Sequence, residues 1–208
     1  MKDLVLGDDG LQRCVWGTSP PELGAYHDDE WGRPVGNDDA VYEKLCLEGF
    51  QAGLSWLTIL RKREAFREAF ASFDPAVVAK FGDAEVDRLL SNPGIVRNGA
   101  KINATIANAR ATIALREQGI SLADLVWQRR PRIEKAPRRI GDLQSSTPES
   151  KALSSVLRRN GFSFVGPTTV YAAMQSLGVV NDHLDGCHWR AITEKQREAF
   201  LRTPRSKK

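Results

Sequence analysis

Apolar residues recur along much of the chain at the spacing of helix faces. Between Ala100 and Gln118, the residues Ile102, Ile106, Ala109 and Ile113 follow one another at intervals of four, three and four positions. Residues three or four apart lie on the same side of an α-helix, so this pattern predicts a helix with one apolar stripe. The segment from Lys151 to Arg159 places Ala152, Val156 and Leu157 on one face in the same way.

Helix start and stop signals support the same class of fold. Asp74-Pro75 and Thr147-Pro148 each combine an N-cap residue with proline at the first helical position. Gly161 and Gly178 follow apolar segments where helices should end. Strand-like alternation is nearly absent, and no repeat or interdomain linker stands out. The pattern therefore predicts a compact, all-α fold.

One charged residue falls on an otherwise apolar stripe. The segment from Asn37 to Ala52 predicts a helix on which Val41, Leu45 and Glu48 share a narrow arc. Ionised carboxylates are rarely buried without a partner. Glu48 therefore either faces water at a frayed helix end or points into an enclosed cavity, where it would attract a hydrogen-bond donor or a cation.

Composition and charge permit nucleic acid as a partner without requiring it. The 208 residues carry a formal charge of +4, with a pI near 9.1. The basic residues concentrate in two places. These are Arg129, Arg130, Arg132, Lys135, Arg138 and Arg139, and then Arg202, Arg205, Lys207 and Lys208. A solvated loop and tail explain them as well as phosphate contacts do.

The cysteine count and the apolar runs indicate the compartment. Three cysteines without regular spacing argue against a disulfide framework and favour a reducing environment. No apolar run approaches the length of a membrane helix, and the acidic N-terminus does not resemble a secretory signal. We therefore expect a cytoplasmic protein.

Two cysteines and two histidines near the chain ends form a candidate metal site. They are Cys14, His27, His183 and Cys187. Such a ligand set suits a structural, tetrahedral zinc ion that would tie both ends of the chain together. The alternative is buried thiols and hydrogen-bonded histidines. Cys46 lies on an apolar stripe and is expected in the core, whereas His188 is the substitute ligand if His183 does not serve.

Aromatic residues flank both the candidate ligands and Glu48. Trp16 and Tyr26 lie beside Cys14 and His27, and Trp56 follows Glu48 after a short glycine-containing stretch. Aromatic walls with one carboxylate describe a pocket for a flat, positively charged ring. The alternative is that these aromatic side chains simply belong to the core.

A third candidate is the turn within Leu89 to Lys101, where Pro93-Gly94 separates two helical segments. A tight hairpin before a helix presents free backbone N–H groups that can bind phosphate, and Arg97 and Lys101 add positive charge. An ordinary interhelical turn would have the same sequence.

Taken together, these segments resemble the 3-methyladenine DNA glycosylase I family of the helix-hairpin-helix glycosylase superfamily. The resemblance extends from about Leu11 to Trp189. It is carried by Arg13-Cys14-Val15-Trp16, Tyr26-His27-Asp28-Asp29-Glu30-Trp31-Gly32, Leu47-Glu48-Gly49-Phe50-Gln51-Ala52-Gly53-Leu54-Ser55-Trp56, Phe164-Val165-Gly166-Pro167-Thr168-Thr169, Val179-Val180-Asn181-Asp182-His183, and Cys187.

The resemblance implies a role for each candidate residue. One structural zinc ion would be held by Cys14, His27, His183 and Cys187. Glu48 would be the catalytic carboxylate, and Tyr26, Trp56 and Trp16 would bind the base. Gly53 and Leu54 would lie at the DNA interface and fill the gap left by the extruded nucleotide. The hairpin from Asn92 to Gly99, with Gly94, Arg97 and Lys101, would bind the DNA backbone.

The implied activity is hydrolytic excision of 3-methyladenine from alkylated double-stranded DNA, leaving an abasic site without strand cleavage. We expect a monomer made of an N-terminal extension (1–10), a glycosylase domain (11–189) and a basic C-terminal extension (190–208). Two alternatives remain: a module that only recognises damaged DNA, and a glycosylase for 7-methylguanine or hypoxanthine. The chain departs from the family at Phe50, where glutamine is more common, and in its basic tail.

Overall fold

The computed structural model describes residues 3–132 and 135–203, which divide into two compact units. Unit 1 combines both ends of the chain with a middle segment and comprises the described parts of Met1–Val35, Arg130–Ser145 and Met174–Lys208. Unit 2 comprises Gly36–Arg129 and Ser146–Ala173. The basic residues Arg205, Lys207 and Lys208 lie outside the described residues.

Helices dominate both units, as predicted. In chain order the elements are β1 (Leu4–Leu6), β2 (Gln12–Cys14), α1 (Pro21–Asp29), α2 (Asp38–Gln51), α3 (Trp56–Ala69), α4 (Pro75–Val78), α5 (Asp83–Ser91), α6 (Gly99–Glu117), α7 (Leu122–Trp127), α8 (Pro148–Arg159), α9 (Pro167–Ser176) and α10 (His188–Arg202). Short 3₁₀ turns at Val15–Gly17, Ala71–Phe73 and Ile140–Asp142 join some of them.

The predicted helix boundaries are confirmed by the caps that the structure contains. The Asp74 side chain accepts a hydrogen bond from the Ala76 N–H at the start of α4, and Thr147 caps α8. Both helices begin with the predicted proline. Gly161 and Gly178 take positive φ angles just beyond α8 and α9, where a side chain would be strained.

The long helix α6 runs through unit 2 and packs against α2, α4, α5 and α7. Ile102, Ile106 and Ala109 on its predicted stripe are buried. The stripe predicted for α8 is wrong in part, because Leu153 and Leu157 are buried whereas Ala152 is exposed. A helix of this length offers several arcs of apolar residues, and the neighbouring elements decide which one is covered.

Helix α2 lies almost where the apolar pattern placed it, between the N-cap Asn37 and the C-cap Ala52. Val41 and Leu45 are buried, and so is Glu48. Phe50 is 1% exposed and packs against Phe66, with ring centroids 4.5 Å apart. Phe50, at the position where the family more often has glutamine, therefore contributes to an aromatic core.

A two-stranded antiparallel ribbon in unit 1 departs from the all-α prediction. Strands β1 and β2 pair Leu4 with Cys14 and Leu6 with Gln12, and the Val15 N–H donates to the Asp3 carbonyl. Each strand has only three residues, too few to show alternation in the sequence. Residues of the expected N-terminal extension thus pair directly with the strand that ends at Cys14. The three-part division of the chain stays a prediction.

Within the described ranges, the structure contains no helix that combines the length and the apolar character required to cross a membrane.

Replacing Phe50 with alanine is expected to lower the free energy of unfolding by about 3–5 kcal/mol, because the cavity left between α2 and α3 cannot collapse fully. Denaturant titration followed by circular dichroism measures the change. The matched control is Ile120→Ala at a position that is 40% exposed, where the change should stay within about 0.5 kcal/mol. A change as small as the control's at Phe50 would contradict the core role.

Candidate functional site

The four predicted metal ligands come together in unit 1. Cys14 ends β2, His27 lies in the last turn of α1, His183 lies in the loop after α9, and Cys187 is the N-cap of α10. All four are buried, and their ligand atoms lie within 4.8 Å of one another. His188, the substitute ligand, is exposed and is not part of this cluster.

The spacing of the donor atoms fits one tetrahedral ion. The Nε2 atom of His27 lies 3.2 Å from Nδ1 of His183, and the Cys187 Sγ atom lies 3.7 and 3.6 Å from these two nitrogens. Zinc with ordinary Zn–N and Zn–S bond lengths gives nitrogen–nitrogen edges of about 3.3 Å and nitrogen–sulfur edges of about 3.6 Å. The cluster therefore has the dimensions of a closed, four-ligand site.

Outer contacts fix which nitrogen of each imidazole faces the cluster. His27 Nδ1 lies 2.8 Å from an oxygen of Asp28, and His183 Nε2 lies 3.2 Å from the Trp31 carbonyl oxygen. Both partners accept hydrogen bonds, so these nitrogens carry the protons and the other two present lone pairs. Such outer contacts are typical of metal-binding histidines.

The carboxylate of Asp28 is itself held by a charged chain. Arg13 donates to Asp28 through Nε at 2.9 Å, and its Nη2 atom lies 2.6 Å from a carboxylate oxygen of Asp9. The hydrogen bonds that Arg13 donates to Asp9 lower the pKa of Asp9 to about 2. The N-terminal segment is thereby connected to the imidazole of His27 through two ion pairs.

The protonation states of the cluster also suit a cation. Burial lowers the pKa of His183, which keeps its imidazole neutral, as a metal ligand must be. The hydrogen bond from Cys14 lowers the pKa of the Cys187 thiol, whereas the neighbouring Cys187 sulfur and burial raise the pKa of Cys14. Two neighbouring buried thiolates repel each other, so a cation bound between them would stabilise the charged form of both.

Aromatic rings enclose the cluster within unit 1. The Trp16 ring packs edge-on against His27 at 5.0 Å and against Trp31 at 4.8 Å between centroids. Gly17 is required in this arrangement, because a Cβ atom there would lie 2.4 Å from the His27 ring. Tyr26 is buried in α1, directly before His27. Trp16, predicted to bind the base, thus also supports the candidate metal ligands.

The remaining base-binding candidates belong to unit 2. Glu48 lies in the last turn of α2 with only 5% of its surface exposed, so a position facing open water is excluded. Trp56 begins α3 and is half-buried, and the Lys44 ammonium lies 5.8 Å from its ring centroid. Glu48, in the last turn of α2, and Trp56, at the start of α3, therefore lie on either side of the short connection formed by residues 52–55.

That connection carries the residues predicted to enter the DNA. Gly53 takes φ +81°, a backbone conformation that favours glycine, and Leu54 is 42% exposed. The Leu54 N–H donates to the Gln51 carbonyl at 2.6 Å, and Ser55 caps α3. A tight turn thus presents a large apolar side chain to the surface.

The predicted hairpin lies between α5 and α6 and is braced from α3. Lys62 donates to the carbonyl oxygens of Pro93 and Gly94 at 3.0 and 3.2 Å. Arg97 is exposed. Lys101, predicted to contact DNA, is instead buried, with its Nζ atom 2.8 Å from the Phe50 carbonyl oxygen and 2.6 Å from that of Ala52.

Phe164 is a feature that the sequence did not single out as a site residue. Its φ angle is +55°, which is strained for a residue with a side chain, and its ring is 40% exposed. The buried Asn108 holds the preceding residue, Ser163, through both its amide nitrogen and its amide oxygen. In the sequence, Phe164 stood out only as the first residue of the motif Phe164-Val165-Gly166-Pro167-Thr168-Thr169, which contributes to the family resemblance.

Solved structures of high similarity share this fold. A crystal structure of 3-methyladenine DNA glycosylase I matches with a TM-score of 0.82 and 45% identity, covering 85% of this chain and 98% of that one. The structure described as the basis of 3-methyladenine recognition by the Staphylococcus aureus enzyme matches with a TM-score of 0.81 and 33% identity, covering 86% and 96% of the two chains.

Sequence comparison gives the same result. The DNA-3-methyladenine glycosylase 1 of Escherichia coli (strain K12) is 43% identical over 180 residues, which is 85% of this chain and 96% of that protein. The model of the methyladenine glycosylase family matches residues 16–191. The chain belongs to the methyladenine glycosylase family, which confirms the resemblance.

We expect Asp28→Asn to weaken the binding of added Zn²⁺ by about 10- to 100-fold, because a neutral amide oxygen accepts the hydrogen bond from His27 Nδ1 more weakly than a carboxylate does. Competition with a chromogenic chelator measures the affinity. The adjacent, exposed Asp29 provides the matched control, since Asp29→Asn should bind Zn²⁺ like the unmodified protein. Equal affinities for both variants would remove Asp28 from the site.

Proposed function

We propose that this chain hydrolyses the N-glycosidic bond of 3-methyladenine in alkylated double-stranded DNA and releases the free base. The observation that carries the proposal is the burial of Glu48 in a member of the methyladenine glycosylase family. The similar proteins described above are DNA glycosylases, which favours excision of the base over binding alone. The alternative of a binding module is therefore less well supported.

The chemistry follows from the charge of the substrate. 3-Methyladenine in DNA carries formal positive charge, and when the bond from C1′ to the ring nitrogen breaks, its electron pair neutralises the departing base. Water adds to C1′ and loses a proton to solvent, which leaves an abasic site. Glu48 accepts a hydrogen bond from the base and supplies a negative field that acts most strongly where water is excluded.

The base is selected by stacking and hydrogen bonding. We assign Tyr26, Trp56 and Trp16 as base-binding residues, as the family resemblance implies. Flat aromatic faces bind a cationic ring more tightly than a neutral one. Solved relatives include a tyrosine-to-phenylalanine variant in complex with 3-methyladenine and a glutamate-to-glutamine variant. These are the residue types assigned here to the base.

Excision from a duplex first requires the nucleotide to leave the stack, at a cost of a few kcal/mol. We propose that Gly53 and Leu54 enter the DNA at that point, because an exposed leucine on a tight turn is suited to fill the gap. The hairpin from Asn92 to Gly99, with Gly94 and Arg97, would bind the backbone as a helix-hairpin-helix motif.

The cluster of Cys14, His27, His183 and Cys187 is proposed to hold one structural Zn²⁺ ion. The donor set and its spacing support this choice, and a closed four-ligand site leaves no position for substrate. Bound there, the ion supplies folding free energy by joining segments from the two ends of the chain. We further propose a cytoplasmic monomer, and the three free, buried cysteines are compatible with a reducing compartment.

Glu48→Gln is expected to slow the release of 3-methyladenine by about 10²- to 10³-fold, the usual effect of removing one preorganised electrostatic group. Mass spectrometry of bases freed from methylated DNA measures it. The control is Glu64→Gln, whose carboxylate is exposed. Unchanged release by the Glu48 variant would exclude this residue from the mechanism. Parallel duplexes with 7-methylguanine and hypoxanthine test the alternative substrates.

Removal of the metal is expected to lower the thermal midpoint of unfolding, because the ligands then lose the ion that offsets their burial. Purified protein should contain about one zinc ion per chain by elemental analysis. Cys187→Ala should lose it, whereas Cys46→Ala, a change at a buried cysteine outside the cluster, should retain it. Retention of zinc by both variants would contradict the proposed ligand set.

A further inference from the structure

We infer that Lys101 is a positioning residue, which fixes the turn that presents Leu54 and joins that turn to the hairpin. The inference rests on the proposed function, because it assigns a use to a turn and a hairpin that we place at the DNA. It differs from the phosphate contact predicted from the sequence. In the structure Lys101 is 9% exposed and its ammonium group faces protein carbonyl oxygens.

The ammonium group satisfies the end of helix α2. A helix ends with carbonyl groups that have no intrahelical partner and with a partial negative charge. Lys101 donates to the carbonyl oxygens of Phe50 and Ala52, the last helical turn and the C-cap. Burial lowers the pKa of Lys101, so these two hydrogen bonds offset the cost of desolvating the charge.

The two carbonyl groups directly precede the exposed part of the turn. Ala52 has φ −48° and ψ 116°, which takes the chain out of the helix, and Gly53 follows at φ +81°. Leu54 comes next, with its N–H bonded to the Gln51 carbonyl. Leu54 is 42% exposed, so its own packing fixes its position only in part, and the backbone before it must supply the rest.

Lys101 also belongs to the hairpin side of unit 2. It lies in the first turn of α6, where its backbone N–H donates to the side chain of the N-cap Asn98 at 3.1 Å. One residue therefore contacts both the turn that carries Leu54 and the end of the hairpin. The distance between the backbone-binding hairpin and the inserted side chain is then fixed before DNA binds, which avoids an ordering cost on binding.

A phosphate contact and a positioning role predict different salt dependences. A lysine that neutralises one phosphate contributes about 0.9 to the slope of log affinity against log salt, and it does so on any duplex. A positioning residue leaves that slope unchanged, but its loss weakens the preference for a duplex that lacks one base over an undamaged duplex. The exposed Arg97 in the hairpin provides the matched phosphate-contact variant.

The experiment uses the full chain and two duplexes, one undamaged and one with a tetrahydrofuran abasic-site analogue. Fluorescence anisotropy gives the affinities across a salt series for the unmodified protein, Lys101→Met, Leu54→Ala, the double variant and Arg97→Met. Lys101→Met removes both hydrogen bonds to the Phe50 and Ala52 carbonyl groups and is expected to reduce the preference for the abasic duplex by at least about tenfold. Its salt slope should be unchanged, and the double variant should be no worse than the worse single variant.

A reduced salt slope for Lys101→Met, with equal losses on both duplexes, would overturn the inference and restore the phosphate contact. Additive effects in the double variant would also overturn it, because Lys101 would then not act through Leu54. Lys101→Gln, which keeps one donor group, is measured in parallel and replaces the methionine variant if that protein does not fold. Absence of any preference for the abasic duplex in the unmodified protein would instead count against the proposed function.

Discussion

The burial of the Glu48 carboxylate is the constraint on which the rest of the account depends. A carboxylate deprived of water is unfavourable unless a donor or a positive charge compensates it. Glu48 lies on the apolar stripe of α2 with only 5% of its surface exposed. We propose that the negative charge is kept there because it favours the binding of a cationic base during catalysis.

The candidate metal centre solves a different physical problem in the same chain. Cys14 ends a three-residue strand and Cys187 caps the mostly polar helix α10, whose buried residues are Thr193 and Arg197, so each element alone buries little apolar surface. Bonds from the four ligands to one ion can replace the missing apolar core. The ion pairs that join Asp9, Arg13 and Asp28 help to orient one of these ligands, His27. Trp16, which packs against His27, and Tyr26, which precedes His27 in α1, connect the candidate metal centre with the residues proposed to bind the base.

Local chemistry made much of the fold predictable from the sequence. The caps at Asp74 and Thr147 and the stripe on α6 act within one or two helical turns, so spacing alone reveals them. From its position on the stripe of α2, Glu48 was expected either to face water or to be buried. In the structure it is buried. The ribbon of β1 and β2 was missed because three-residue strands carry no usable period.

Features that depend on distant contacts could not be predicted in this way. Lys101 donates hydrogen bonds to the carbonyl groups of Phe50 and Ala52, which lie about fifty residues earlier in the sequence. Nothing in the local sequence around Lys101 indicates that its ammonium group is buried. Asp28 beside His27 was visible in the motif, but the role of Arg13 required the structure. The four metal ligands formed a candidate set in the sequence, but their spacing alone left buried thiols and hydrogen-bonded histidines as an alternative, because residues so distant in sequence are brought together only by the fold.

The most direct test of the central claim is a crystal structure of the protein with free 3-methyladenine bound. We expect a hydrogen-bond donor of the bound base to lie within about 3 Å of a Glu48 oxygen, with an aromatic ring among Tyr26, Trp56 and Trp16 against the face of the base. A base bound elsewhere, or a Glu48 side chain that makes no contact with it, would contradict the account.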